Sequence, residues 1–457
     1  MEQLHAVLTT INTFVWGPFL LIPLLLLTGL YLTIRLRGLQ FRILGHALWL
    51  AFVRRKERSA LTGDVSHYQA LTTAMAATIG VGNIAGVATA IGIGGPGALF
   101  WMWITGLVGM ATKYAEGLLG VKYRRTDAHG EQSGGPMYYL TYGIGGFWGN
   151  TLGIAFAVFG AIAALGIGNM VQANTAATQL QSTWGIPPIW SGAVMTIAAA
   201  AVILGGIKRI ARFAAGAVPL MCILYMISNL VVLTVFADQL PAAIMLVFTD
   251  AFSGTAAAGG FTGAAVILAI QMGVARGIFS NESGLGTGAI AAASAITDKP
   301  VRQAMVSMTQ TFIDTLIMVS LTALAIIVTG AWMQEGLVGA PMTAWALEQG
   351  LGNGWGTYTV TLSVLIFSFT TLLGWCYYGE RCIERLVGRT GVVPYRLVFS
   401  ATIYLGAVLS LELVWTFSDI ANGLMALPNL IGLLLLSNIV VRETLTYFSN
   451  PGWRNVD

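Results

Sequence analysis

The chain alternates between long apolar stretches and short polar ones. The plainest apolar run covers 14–34, "FVWGPFLLIPLLLLTGLYLTI", and others cover 151–169, 189–206, 213–236, 309–330, 358–375, 397–413 and 424–441. A helix needs about 20 apolar residues to cross ~30 Å of hydrocarbon, and these runs meet that length. A transmembrane barrel would instead show segments of about ten residues with alternating polarity. The pattern therefore predicts an all-α integral membrane protein with about eleven spans, at roughly 14–36, 66–93, 97–121, 150–180, 187–206, 211–237, 261–295, 301–330, 356–380, 394–412 and 417–444. The first run is too long for a signal-peptide core and has no positive region ahead of it, so it is read as a retained span.

Composition agrees: of 457 residues, 56% are hydrophobic and 9% charged, where a soluble domain carries about a quarter charged residues. Mean hydropathy is +0.76. Three cysteines, Cys222, Cys376 and Cys382, make neither a disulfide framework nor a metal spacing.

The basic residues are distributed unevenly, and this sets the expected topology. Arg35, Arg37, Arg42, Arg54, Arg55, Lys56 and Arg58 lie between spans one and two, within a stretch over 37–60 that reads as an amphipathic helix on the membrane surface. Lys122, Arg124 and Arg125 follow span three, and Arg381, Arg385, Arg389 and Arg396 join spans nine and ten. The alternate loops, near 94–97, 181–187, 238–260, 331–355 and 413–416, hold no Lys or Arg. Positive charge favours the cytoplasmic side, so the N-terminus is expected outside and the C-terminus inside. The sequence pI near 9.0 then reflects membrane orientation, and no nucleic-acid partner is expected. Lys113, near the end of span three, is expected to snorkel. His67 and His129 are expected to be solvated at the cytoplasmic boundary, and Asp64 to cap the first core helix. The segment 238–260 reads as a short external lid.

Two spans are interrupted. "AATIGVGNIAG" (76–86) places three glycines and Asn83 where a helix favours leucine and alanine, and "QMGVARGIFSNESGLGTG" (271–288) adds Arg276, Asn281 and Glu282 to a glycine-rich segment. The breaks are expected around Gly80 to Gly82 and around Gly273 to Gly277. With the first span set aside, they open the first and the sixth of ten core spans. Two inverted repeats of five helices, about 66–237 and 261–445, produce that arrangement, and matched interruptions point to a transporter's central site. The domain reading is an N-terminal span plus surface helix over 1–60, a transporter core over 61–445 and a cytoplasmic tail over 446–457. Unwound backbone in hydrocarbon must find partners. A half-helix N-terminus suits a carboxylate, and freed carbonyls suit an ammonium or a cation. Arg276 is expected either to pair with Glu282 beside the break or to meet a substrate carboxylate. Asp314 and Glu116 are further intramembrane candidates for ion or proton sites, with internal pairing to Lys113 or Arg276 as the alternative. Nothing resembles HExxH or GxSxG with partners, so an enzyme is not expected; a channel remains an alternative.

"GDVSHYQALTTAMAATIGVGNIAGVATAIGIGGPGALFWMW" (63–103), "SGGPMYYL" (133–140), "GIGNMVQANT" (166–175) and "GVARGIFSNESGLGTG" (273–288) resemble the alanine or glycine:cation symporter family of the amino acid–polyamine–cation superfamily. The resemblance covers nearly the whole chain. It implies a leucine-transporter-like 5+5 inverted-repeat core with one extra N-terminal helix, in a bacterial or archaeal plasma (inner) membrane. Its partners would be a small neutral amino acid, alanine or glycine, and a coupling ion, sodium or alternatively a proton. No other cofactor and no obligate protein partner are implied. Carried over, Val81 and Gly82 offer N–H groups to the carboxylate, Thr78 offers its carbonyl to the amine, Gly80 belongs to the same substrate-binding turn, Asn83 closes that turn with its amide oxygen toward a cation or the substrate, and Gln172 touches the zwitterion. Gly273 and Gly277 belong to the same substrate site through the second break. A sodium site falls on the carbonyls of Ala76 and Ile79 with the hydroxyls of Thr370 and Thr371, Ser368 being one turn away.

Overall fold

The computed structural model describes residues 2–17, 19–54, 62–126, 130–253 and 262–454. The first apolar run is divided into α1 (Glu2–Val15) and α2 (Leu21–Arg35), because the Gly17-Pro18 sequence interrupts helical hydrogen bonding. The span expected from 14 therefore begins at Leu21. The amphipathic stretch becomes two short helices, α3 (Leu39–Arg42) and α4 (Leu44–Phe52), and 55–61 lies outside the described residues.

The first five core spans follow. α5 (His67–Thr78) and α6 (Ala85–Gly94) form one broken span bent by 58°. Next comes α7 (Gly97–Lys122), then a hairpin of β1 (Arg125–Thr126) and β2 (Gln132–Ser133), and a single turn, α8 (Pro136–Tyr139). α9 (Gly146–Leu165) continues through a widened turn at Gly166–Met170 into α10 (Val171–Trp184). α11 (Pro188–Ile203) and α12 (Gly206–Val235) complete the set.

α13 (Leu240–Ser253) leads to the second five: α14 (Thr262–Asn281) with α15 (Thr287–Ala293); α16 (Pro300–Thr311) with α17 (Ser320–Val328), joined by a widened segment at Phe312–Val319; then α19 (Trp355–Val387), α20 (Val392–Val408) and α21 (Leu411–Phe448), with α18 (Ala340–Leu351) lying before α19. Among the described residues seven helices are long and apolar enough to cross a membrane, eight with the bent pair. α2 and α11 are apolar but shorter, and α7 is diluted by glycines and by Lys113 and Glu116. With each kinked or broken pair taken as one rod, the rods stand at the eleven expected places.

α7 packs against α14 and α16, α6 against α14, α9 against α19, α11 against α20, and α12 against α5 and α19. The two halves carry matching punctuation at one constant offset: Gly80, Gly82 and Pro96 recur as Gly284, Gly286 and Pro300. Pro136-Met137, opening α8, is echoed by Pro341-Met342 in the first turn of α18. α13 is a helix packed on α7 and α14. Its Asp250 carboxylate accepts the Gly97 N–H at 2.7 Å and caps α7. The part of the 238–260 segment over 254–260 lies outside the described residues.

Candidate functional site

At the first break α5 ends because Ile79 turns extended (φ −77°, ψ 92°), after which a tight turn, Val81–Asn83, re-aims the chain into α6. Thr78, Val81, Gly82 and Asn83 are buried. The freed backbone is met by amides: the Val81 N–H donates to Gln172 Oε1 at 3.2 Å, and the Gly80 N–H donates to Asn83 Oδ1 at 3.1 Å. Gln172 is oriented by donating its own amide N–H to the Ile167 carbonyl at 3.0 Å, across the widened turn of α9–α10. The Thr78 hydroxyl bonds back to Ala74 and accepts from Gln310 of α16. There is little spare room. A Cβ on Gly80 would stand 2.6 Å from Thr371 Oγ1 and 3.0 Å from Gln172 Oε1, and one on Gly82 would meet Phe279 at 3.1 Å and Ser280 at 3.2 Å.

On the other side of the break the two threonines separate. Thr371 Oγ1 donates to the Ala76 carbonyl at 2.9 Å and lies 3.5 Å from the Ile79 carbonyl. Thr370 bonds back to Phe367 and Ile366 and faces Met221 of α12. The helical phase of α19 thus gives one hydroxyl to the break, and Thr370 is away from it. Ser368 likewise bonds back, to Val364.

The second break lies further along than the glycines suggest. α14 runs unbroken through Gly273 and Gly277, whose missing side chains let α7 approach: a Cβ on Gly273 would be 2.5 Å from the Ala98 carbonyl oxygen, and one on Gly277 2.5 Å from Thr105 Oγ1. The interruption falls at 282–286, where Glu282, Gly284 and Gly286 have φ of 57°, 97° and 81°. Two further glycines supply two of these three positive-φ positions. Glu116 of α7 holds this break: its Oε1 accepts the N–H groups of Gly284 and Gly286, both at 3.0 Å, and the Asn429 amide at 2.8 Å. Glu116 was legible as an intramembrane carboxylate, but its partners at the 282–286 break and on α21 were not.

Asp314 does for the first break what Glu116 does for the second. It sits in the widened turn of α16–α17, wholly buried, and accepts from Asn83 Nδ2 at 2.7 Å, Ser280 Oγ at 3.0 Å and Thr315 Oγ1 at 2.9 Å. Each half of the molecule thus lends a buried carboxylate to the break of the other. Lys113 does not snorkel. It is buried, with Nζ 4.0 Å from Glu282 Oε2.

Arg276 pairs with Asp419 of α21, not with Glu282. Its two terminal nitrogens donate to the two carboxylate oxygens at 3.0 and 2.9 Å, and its guanidinium lies 4.5 Å over the Trp415 ring, which stacks on Phe279 at 4.7 Å. Spacing along one segment suggested Glu282, whereas the true partner lies on another helix. Beside this plug a cavity of about 100 Å3 lies toward the α6 end, lined in part by Ala85, Thr89, Thr175, Gln179, Leu411 and Trp415.

The opposite face, where the basic loops gather, is closed by backbone and charge. Val65 bridges to Ala295, and the Asp64 and Val65 N–H groups reach the Ser294 carbonyl. Arg124 donates to the carbonyls of Thr62, Ala293, Ala295 and Thr297 at 2.9, 3.0, 2.7 and 2.5 Å. Glu131 takes Arg381 and Arg389. Asp64 does not cap α5; that role falls to Ser66 in a reciprocal box with Gln69, and Asp64 accepts the Gln132 N–H at 2.8 Å. His67 is buried against Gln303 of α16, not solvated, and His129 lies outside the described residues.

Residues 1–453 match the family model described as the sodium:alanine symporter family. The chain belongs to that family. It is therefore a multi-pass membrane carrier for sodium-coupled amino-acid symport and not an enzyme. It is 49% identical over 443 residues to the sodium/alanine symporter AgcS of Methanococcus maripaludis, covering 96% of each chain. It is 50% identical over 446 residues to an uncharacterized transporter of Haemophilus influenzae, covering 97% of this chain and 96% of that one. Among solved structures, MhsT in complex with L-phenylalanine matches with a TM-score of 0.57 at 12% identity, over 84% of this symporter and 99% of MhsT. That likeness carries the leucine-transporter-like fold.

Proposed function

We propose that the symporter takes up a small neutral amino acid, alanine or glycine, with sodium by alternating access around the first break. The observation that carries this is the Val81 N–H, exposed by the broken helix and held by the Gln172 amide oxygen. A substrate carboxylate displaces that oxygen and takes the N–H groups of the turn, while Gln172 swings its amide to the zwitterion. The crowding around Gly80 and Gly82 supports a side chain no larger than a methyl. Sodium takes the Ala76 and Ile79 carbonyls with the Thr371 hydroxyl, which now donates to those carbonyls. Because the ion and the substrate share one turn of backbone, filling either site pre-orders the other, and the coupling is a difference in affinity between states.

In this reading the Arg276–Asp419 pair with Trp415 and Phe279 closes the outer side, and the Arg124 clamp closes the inner side. The N-terminus is outside and the C-terminus cytoplasmic in a bacterial or archaeal plasma membrane. A proton is the second reading for the coupling ion, favoured by Asp314, whose hydrogen-bond donors among the described residues are neutral. A buried carboxylate so placed needs a proton or a cation to neutralise it. Labelled alanine uptake into proteoliposomes tests both. Concentrative uptake driven by an inward sodium gradient supports the sodium reading; uptake driven only by a proton gradient moves the coupling to Asp314; no uptake of alanine or glycine under either gradient refutes the substrate assignment.

A further inference from the structure

A basic recess lies at the edge of the molecule, apart from both breaks. It forms where α2 ends, α3 and α4 turn along the surface and α21 runs out, and it encloses about 770 Å3. Arg35, Arg37, Arg42, His46 and Arg454 line it, and no acidic side chain does so among the described residues. Leu39, Ile43 and Phe448 add apolar lining to the same recess.

Among the described residues no carboxylate pairs with these arginines. Arg35 donates to two neutral partners, Tyr31 Oη and Asn438 Oδ1, both at 2.6 Å. Arg454 lies 4.9 Å over the Trp453 ring. Among the described residues the guanidinium groups of Arg37 and Arg42 have neither an ion pair nor a hydrogen-bond partner. The His46 Nε2 atom is buried without a hydrogen-bond partner, its ring packed against Trp49 and Trp453. Arg37 also occupies a strained position. It follows the last turn of α2 with φ 55°, its N–H returning to the Ile34 carbonyl and the next N–H to that of Thr33. That slot favours glycine or asparagine, and a long side chain held there at a conformational cost marks a position with a use.

We propose that this recess binds an anionic phospholipid, with Arg37 and Arg42 holding its phosphate and the Leu39–Ile43–Phe448 wall taking the start of an acyl chain. Guanidinium groups match phosphate oxygens in geometry and charge. The height of the recess favours a lipid over a free phosphate: Phe41 and Trp49, 54% and 39% exposed on α3 and α4, are aromatic anchors of the kind found at headgroup level. Basic pockets between helices at the membrane boundary are suited to anionic headgroups.

The test is native mass spectrometry of the full chain in detergent, titrated with phosphatidylglycerol or phosphatidylcholine, for the wild type and for the double variant Arg37→Asn, Arg42→Gln. Asparagine tolerates the left-handed backbone, so the variant keeps its turn; an unchanged melting temperature in phosphatidylcholine verifies that. The wild type retains phosphatidylglycerol selectively, and the variant loses about thirty-fold in that affinity, at roughly a fivefold contribution per surface arginine. Equal retention of the two lipids by the wild type, or unchanged selectivity in the variant, overturns the proposal. Complete displacement of phosphatidylglycerol by an equal concentration of inorganic phosphate overturns the lipid assignment in favour of a free-phosphate site.

Discussion

Gln172 and Gly82 act on the same turn in opposite ways, one by supplying an atom and the other by withholding one. Gln172→Ala leaves the Val81 N–H without its acceptor and removes the amide that would contact the zwitterion. A hydrogen bond to a charged group is worth about 1.5–3 kcal/mol, so alanine affinity should fall at least tenfold in a protein that still folds, with a melting temperature lowered by no more than the one orphaned N–H accounts for, as equilibrium binding and a thermal melt would report. Gly82→Val drives a branched side chain into Phe279 and Ser280 of α14. Uptake should be abolished in a protein that still inserts and purifies, and normal uptake would mean that the turn serves packing alone. Gln172 was legible because an amide in an apolar span needs a purpose. The choice between Thr370 and Thr371 was not, since adjacent residues on a helix point about 100° apart and only the packing of α19 on α5 selects one.

The two broken helices show what glycine can and cannot reveal. Glycine in a membrane helix marks either an unwound turn or a close approach of two helices, and the sequence around 271–288 contains both kinds side by side. Gly273 and Gly277 serve contact with α7, and Gly284 and Gly286 serve the break. The constant offset relating Gly80, Gly82 and Pro96 to Gly284, Gly286 and Pro300 distinguishes them from the sequence alone. Glu116 is the element-scale counterpart of Gln172. Glu116→Ala strands the Gly284 and Gly286 N–H groups, each orphaned group costing about 1–3 kcal/mol, while the Asn429 amide loses one bond and keeps its bond to the Gly284 carbonyl. The thermal midpoint should drop by several degrees and transport should be lost. Glu116→Gln keeps one acceptor and should recover most of the midpoint.

At the scale of the whole molecule, the order and number of the rods followed from apolar length and the distribution of arginine, because membrane thickness leaves few alternatives. The pairs that lock the rods together did not: Arg276 with Asp419, and Glu131 with Arg381 and Arg389, join residues remote in the chain. The basic face carries a pH signature. Burial pushes the Glu131 carboxyl up, but Arg381 and then Arg389 pull it further down, so its net position is below the ordinary value of 4.5. Its contribution to stability is complete above that value and is lost as pH falls through the lower value of the folded state. Glu131→Gln should therefore destabilise the symporter at pH 7 and abolish that part of the acid-dependent loss, which thermal melts from pH 7 to pH 3 would resolve.

The central claim is that substrate and sodium share the turn between α5 and α6. It is tested most directly by equilibrium binding of labelled alanine to the purified symporter as sodium is raised, in the wild type and in Thr371→Val. The account predicts saturable binding whose affinity climbs with sodium in the wild type, and weak binding with a flattened sodium response in the variant. Alanine affinity that ignores sodium in the wild type, or a sodium response that survives intact in Thr371→Val, would contradict it.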